Sequence, residues 1–127
     1  MSSINTDGAI LSTLENYIKL TATREQLISA NMANVDTPGY RTRDINFQGE
    51  LKKAMSSDNS EEEGMKPAPD RLAVQDVPGL MERPDGNNVS LDREGLLMSE
   101  TQLQYQIGIQ LIKHHFHGLL SAINGGS

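Results

Sequence analysis

The chain has 127 residues, a formal net charge of −6 at pH 7, 4% aromatic residues, and neither cysteine nor tryptophan. This length suits one domain of ordinary size, and the few aromatic residues argue against a large globular core. The negative charge disfavours a nucleic-acid binder, and the lack of cysteine excludes a disulfide framework and thiolate metal sites.

The first predicted element is a helix from about Asp7 to Val35. Its apolar residues recur with the 3.6-residue period of an amphipathic helix, with a thinner patch at residues 21–25. The N-terminus lacks the basic start, apolar run and cleavage site of a secretory signal, so we expect no cleaved signal peptide. The residues expected to pack against another helix are Leu11, Leu14, Ile18 and Ile28.

The stretch SANMANVDTPGYRTRDINF predicts that this helix ends abruptly. Pro38 sets φ for the first central position of a turn, and Gly39 can take the positive φ that a type II turn needs at the second. Asn31 and Asn34 lie on one helical face just before this turn. Because an asparagine amide can bond the free carbonyls of a helix C-terminus, both residues are expected to help to end the helix.

The middle of the chain changes in composition. Residues 55–70 are acidic and rich in serine, glycine and proline, which is typical of a flexible segment. Residues 71–77, RLAVQDV, fit a short strand, and Pro78-Gly79 and Asp85-Gly86 indicate turns. This middle region is expected to hold little core of its own.

A second helix is predicted from about Asp92 to Ile123. It carries two apolar stripes, and two stripes on one helix indicate two partners. The first has coiled-coil spacing and is expected to pack on the N-terminal helix: Tyr105, Ile109, Ile112, Phe116, Leu119 and Ile123. The second lies beside it: Leu96, Leu103, Ile107 and Leu111.

The predicted fold class is mainly α. It consists of an antiparallel, coiled-coil-like pair of long N- and C-terminal helices with a short irregular or β-containing middle. The expected division is residues 1–36 for the N-terminal helix, 37–91 for the middle, and 92–127 for the C-terminal helix. Since the helix pair buries only one stripe, the other indicates a subunit of a larger assembly.

Residues for catalysis or metal binding are not evident. His114 and His117 are three apart, but a metal site needs three or four converging ligands, and a third is missing one turn away. The Asp85-Gly-Asn-Asn stretch is a turn without the further carboxylates of a calcium loop. We therefore predict no enzyme activity, no cofactor and no metal.

The helix stop resembles the N-terminal signature of bacterial flagellar axial proteins, the rod and hook family. That signature is Ala-Asn, two residues, Asn, two residues, Thr-Pro-Gly-Tyr, and the C-terminal stretch VSLDREGLLMSETQLQYQIGIQLIKHHFHGLLSAI resembles the family's closing helix. The likeness covers about residues 8–51 and 88–123, and Gly95 departs from it in the first turn of the closing helix. The residues that match the signature are Ala30, Asn31, Asn34, Thr37, Pro38, Gly39 and Tyr40.

The resemblance implies a structural subunit of the flagellar basal-body rod, which joins the motor ring to the distal rod and hook. Implied partners are further copies of the chain, other rod proteins such as FlgC and FlgF, the adaptor FliE at the MS ring, and the flagellar export gate. The implied location is the periplasm-spanning rod. An alternative function is a helical adaptor or chaperone of the export system, which should form a defined small oligomer and not polymerise.

Phe47 and Leu51 fit a further feature of the family. Its exported subunits carry a phenylalanine, three residues and then an apolar residue shortly after the first helix. The resemblance therefore implies a docking signal for the export gate at Phe47 and Leu51. The alternative is that both side chains only pack after assembly.

Overall fold

The structure is a computed structural model, and it describes residues 2–59 and 72–124. It confirms the mainly α fold with long terminal helices and a β-containing middle. Residues 60–70 of the predicted flexible segment lie outside the described residues. The elements are α1 (Ser2–Ala33), β1 (Arg43–Ile45), α2 (Phe47–Asn59), β2 (Val74–Asp76) and α3 (Leu91–Asn124).

Helices α1 and α3 pack antiparallel. Near one end of the pair, Asn31 bonds Glu94. Further along the two helices, Gly108 of α3 lies against the side chain of Ile18. Helix α1 begins at Ser2 and not near Asp7, so the predicted start is five residues too late.

The contact face of α3 is narrow. Its buried residues are Glu94, Thr101 and Gly108, which are seven positions apart, and none of them is a large apolar residue. Of the predicted packing residues, Ile28 is buried and Tyr105, Phe116 and Ile123 are exposed by 37%, 48% and 76%. The others are partly buried: Leu11, Leu14, Ile18, Ile109, Ile112 and Leu119.

Helix α2 was not predicted, and residues 55–59 are helical where a flexible segment was expected. The helix begins after Asn46, whose side-chain Oδ1 accepts a hydrogen bond from the Gly49 N–H at 3.2 Å. Asparagine is among the best residues at this capping position, and Glu50 in the first turn suits the positive end of the helix. The middle is thus more regular than its composition suggested.

Strands β1 and β2 form a two-stranded antiparallel sheet, with Asp44 paired to Gln75. The short strand expected within residues 71–77 is confirmed as Val74–Asp76. An ion pair fixes the sheet to α1, since Arg24 donates two hydrogen bonds to the Asp44 carboxylate at 3.2 and 3.0 Å. The thin apolar patch of α1 is therefore where the sheet docks through polar contacts.

Candidate assembly site

The end of α1 is a tight turn built by the Thr-Pro-Gly sequence. The Tyr40 N–H donates to the Thr37 carbonyl at 3.2 Å, which closes the four-residue turn. Gly39 has φ of 76°, so the predicted positive φ is confirmed. A β-branched residue would be strained at this φ, which explains why glycine follows Pro38.

Asn34 acts on the helix terminus itself. Its side-chain amide donates to the Ala30 carbonyl at 2.8 Å, and its Oδ1 accepts a hydrogen bond from the Thr37 hydroxyl at 3.0 Å. The expectation that the amide bonds a carbonyl at the helix end is thereby confirmed for Asn34. It is wrong for Asn31, whose amide bonds the Arg43 carbonyl and the Glu94 carboxylate. The side chain joins the last turn of α1 to the first residue of the Thr-Pro-Gly turn.

Asn31 is buried and holds the segment that leaves the turn. Its amide donates to the Arg43 carbonyl at 2.8 Å, and its Oδ1 accepts the Arg43 N–H at 3.1 Å. The same Oδ1 accepts the Tyr40 hydroxyl at 3.0 Å. One side chain thus bonds both backbone groups of a strand residue, as a neighbouring strand would.

Asn31 also connects the turn to α3 through a buried carboxylate. Its amide lies 3.3 Å from the Glu94 carboxylate, and Arg93 bonds the same carboxylate at 2.8 Å. Glu94 is fully buried, so its charge needs the guanidinium and the amide as partners. The first turn of α3 is therefore fixed against the last turn of α1.

Sequence reasoning missed a second segment of this site, residues 83–89, which we call the clasp. The clasp belongs to the C-terminal half of the chain and contacts the end of α1. The Asp85 carbonyl accepts a hydrogen bond from the Gly39 N–H at 2.9 Å, and the Arg83 side chain donates to the Val35 carbonyl. Asn87 donates to the Asn34 and Thr37 carbonyls at 2.9 and 2.8 Å. The two adjacent asparagines after Asp85-Gly86 were the available signal, and they indicated only a turn.

Asn88, the other clasp asparagine, holds the chain just after the turn. Its Oδ1 accepts the Thr42 N–H at 2.7 Å, and its carbonyl accepts the Thr42 hydroxyl at 3.2 Å. Both residues are buried. All seven signature residues, Ala30 to Tyr40, thus lie at one junction where α1, the turn, β1, the clasp and α3 meet.

The predicted export signal lies apart from this junction, in the first turns of α2. The ring of Phe47 contacts that of Tyr17 on α1 edge to face, with ring centres 5.5 Å apart. Burial raises the pKa of the Tyr17 phenol above its ordinary value of 10.0. Phe47 and Leu51 are both partly buried in this position.

The contacts at this junction are structural hydrogen bonds and one buried ion pair. Asparagine amides, a buried ion pair and a glycine turn hold backbone groups in fixed positions. Among the described residues no group of three or more histidine, cysteine, aspartate or glutamate side chains could hold a metal ion, and no helix could cross a membrane. A pair of long helices braced in this way defines a structural helical subunit.

Comparison with known proteins gives the particular family. The flagellar basal body rod protein FlgB of Salmonella typhimurium is 35% identical over 136 aligned positions, which cover 94% of this chain and 96% of the relative. FlgB of Escherichia coli is 31% identical with the same coverage, and FlgB of Yersinia ruckeri is 33% identical over 137 positions. No family model matches the chain.

The chain therefore belongs to the FlgB family of flagellar basal body rod proteins, and it is a structural component of the bacterial flagellar rod. The alternative of an export adaptor or chaperone receives no support from these relatives. The resemblance found in the two terminal segments extends over nearly the whole chain.

Proposed function

We propose that this chain polymerises, with copies of itself and with other rod proteins, into the axial shaft that transmits torque to the distal rod and hook. It holds neighbouring subunits and catalyses no reaction. Residues 1–36 and 92–127 form the core domain of the subunit, and residues 37–91 form the segment between its helices. FlgC and FlgF are rod neighbours, and FliE joins the chain to the MS ring.

The observation that carries this proposal is an uncovered apolar surface on α3, which we call the outer ridge. It consists of exposed apolar side chains of α3 that lie outside the row of buried positions Glu94, Thr101 and Gly108. Covering such half-exposed aliphatic side chains contributes about 1 kcal/mol each, so a neighbouring helix would be held by several kcal/mol. The ridge residues and their exposures are Leu96 70%, Leu103 56%, Ile107 46% and Leu111 47%.

The junction at the end of α1 supports the same proposal. It fixes the direction in which residues 41–47 leave the helix pair, and a repeating assembly requires each subunit to present its contacts in one geometry. In this proposal the signature residues 30–40 are the assembly motif. The subunit is exported through the export gate without a cleaved signal peptide and is incorporated into the periplasm-spanning rod.

The outer ridge gives the test. The double variant Leu103→Gln, Ile107→Gln removes apolar surface that the folded subunit exposes, so we expect unchanged helicity by circular dichroism. In a flagellated host whose own FlgB is replaced by this chain, we expect normal export but no complete rods and no swimming. Met81→Gln is the matched control, because Met81 is 90% exposed outside the ridge. Normal swimming of the double variant would show that the ridge is not a subunit contact.

The export signal at Phe47 and Leu51 needs a separate experiment, because Phe47 also packs on Tyr17. If Phe47 docks at the export gate, Phe47→Ala protein should stay in the cytoplasm while Tyr17→Leu protein is exported. If Phe47 acts only by packing, both variants lose the same ring contact and should behave alike. Secretion of the Phe47→Ala subunit at the normal level would contradict the docking role.

A further inference from the structure

Carbonyl groups at the end of α1 accept hydrogen bonds from a residue that is distant in the sequence. The last carbonyls of a helix lack partners within the helix, and here the chain bends immediately after them. The carbonyls of Asn34 and Thr37 flank this bend. Each accepts one local backbone N–H, and each accepts a second hydrogen bond from the side chain of Asn87, some fifty residues further on.

The side chain of Asn87 is itself held rigidly. The residue is completely buried, and its Oδ1 accepts the Val89 N–H at 2.8 Å. Its own N–H donates to the Asp85 carboxylate at 3.0 Å, and its carbonyl accepts the Arg83 N–H at 2.9 Å. Every polar group of Asn87 therefore has a partner, and its two amide hydrogens can point only at the bend.

We propose that Asn87 is the positioning residue of the Thr-Pro-Gly turn. Its two N–H groups hold two carbonyls three residues apart, and this fixes the angle at which the chain leaves α1. The turn signature of the N-terminal half then adopts its geometry only when the clasp has docked. This inference deepens the proposed assembly role. Only the swimming assay rests on that proposed function, whereas the exchange measurement does not.

The chemistry at Asn87 distinguishes this role from general packing. Aspartate has nearly the same shape as asparagine but has no N–H to donate. At position 87 it would place carboxylate oxygens against the carbonyl oxygens of Asn34 and Thr37. Asn46 provides the matched control, because its Oδ1 accepts the Gly49 N–H and aspartate fills this capping role equally well.

The experiment compares full-length Asn87→Asp and Asn46→Asp by amide hydrogen exchange. The reporters are the N–H groups of Gly39 and Tyr40, which bond within the clasp and the turn. We expect Asn87→Asp to speed their exchange at least tenfold, with less than threefold change at Thr101 and Gly108 in the middle of α3. Asn46→Asp should leave the turn amides unchanged. Asn87→Ala, which lacks the repulsion, should show the same pattern if Asn87→Asp does not fold.

Three outcomes distinguish this inference from the proposed function. Unchanged exchange at Gly39 and Tyr40 in either folded Asn87 variant would overturn the positioning role. Faster exchange together with normal swimming would support that role for Asn87 and would count against the turn as an assembly motif. Faster exchange with loss of swimming, while Asn46→Asp swims, would support both.

Discussion

The close contact of α1 with α3 at Gly108 predicts the effect of adding one methyl group there. A Cβ added at Gly108 would lie 2.9 Å from Ile18 Cγ1 and 3.1 Å from Tyr17 Cδ1. The shorter distance is about half an ångström less than an ordinary van der Waals contact. The variant Gly108→Ala therefore forces the two helices apart or turns Ile18 and Tyr17 out of their positions.

Two opposing terms set the magnitude. Replacing glycine by alanine inside a helix stabilises it by about 1 kcal/mol, because the unfolded chain loses conformational freedom. Overpacking a closely packed contact costs about 1–3 kcal/mol. Gly118→Ala in the same helix keeps only the first term, since a Cβ there meets no atom within 4 Å. We expect Gly108→Ala to be about 1–3 kcal/mol less stable than Gly118→Ala.

The measurement is the free energy of unfolding from urea titrations followed by helical circular dichroism. Gly95→Ala is a second control, because a Cβ there also meets no atom within 4 Å and lies near the other end of α3. It guards against a difference that reflects only fraying of the helix end. If Gly108→Ala is as stabilising as Gly95→Ala and Gly118→Ala, the close helix approach inferred from the structure is wrong.

Two further predictions concern charge. Asn31→Asp places a second carboxylate about 3.3 Å from the buried Glu94 carboxylate. We expect the free energy of unfolding in urea to fall by about 3 kcal/mol, because two buried like charges repel. A decrease no larger than that of Asn46→Asp would refute this prediction. Burial raises the pKa of Tyr17 in the folded protein above its ordinary value of 10.0. The neutral phenol therefore makes its full contribution to the free energy of unfolding below about pH 10, and this contribution is lost as the pH rises through the folded pKa. Tyr17→Phe should remove this alkaline dependence, and an unchanged stability profile above pH 10 would contradict the assignment.

The long helices and the turn could be predicted from the sequence because each depends on local signals. A 3.6-residue period over some thirty residues identifies α1 and α3, and a Pro-Gly pair identifies the turn. The sequence also carries a signal for helix α2: Asn46 stands in the capping position, and Glu50 and good helix formers follow. The acidic composition of the residues after it favoured a flexible segment.

The remaining contacts could not be predicted, because they depend on which residues meet in three dimensions. The apolar stripe of α3 suggested that Tyr105 and Phe116 face α1, yet the buried positions belong to Thr101 and Gly108. A small residue lets two helices approach closely, and the sequence pattern gives no sign of that approach. Asn87 likewise had only the appearance of a turn residue until its distant carbonyl partners were known.

The bonds from Asn31 to Arg43 have a consequence for unwanted association. A two-stranded sheet has two outer edges, and free N–H and C=O groups on an edge can recruit a foreign strand into a growing aggregate. On the outer edge of β1, Asn31 occupies both backbone groups of Arg43, and the Asp44 carboxylate accepts the Ile45 N–H at 2.7 Å. The N–H groups of this edge are thus blocked by side chains. These N–H groups are therefore not available to a foreign strand, which protects β1 from amyloid-like stacking.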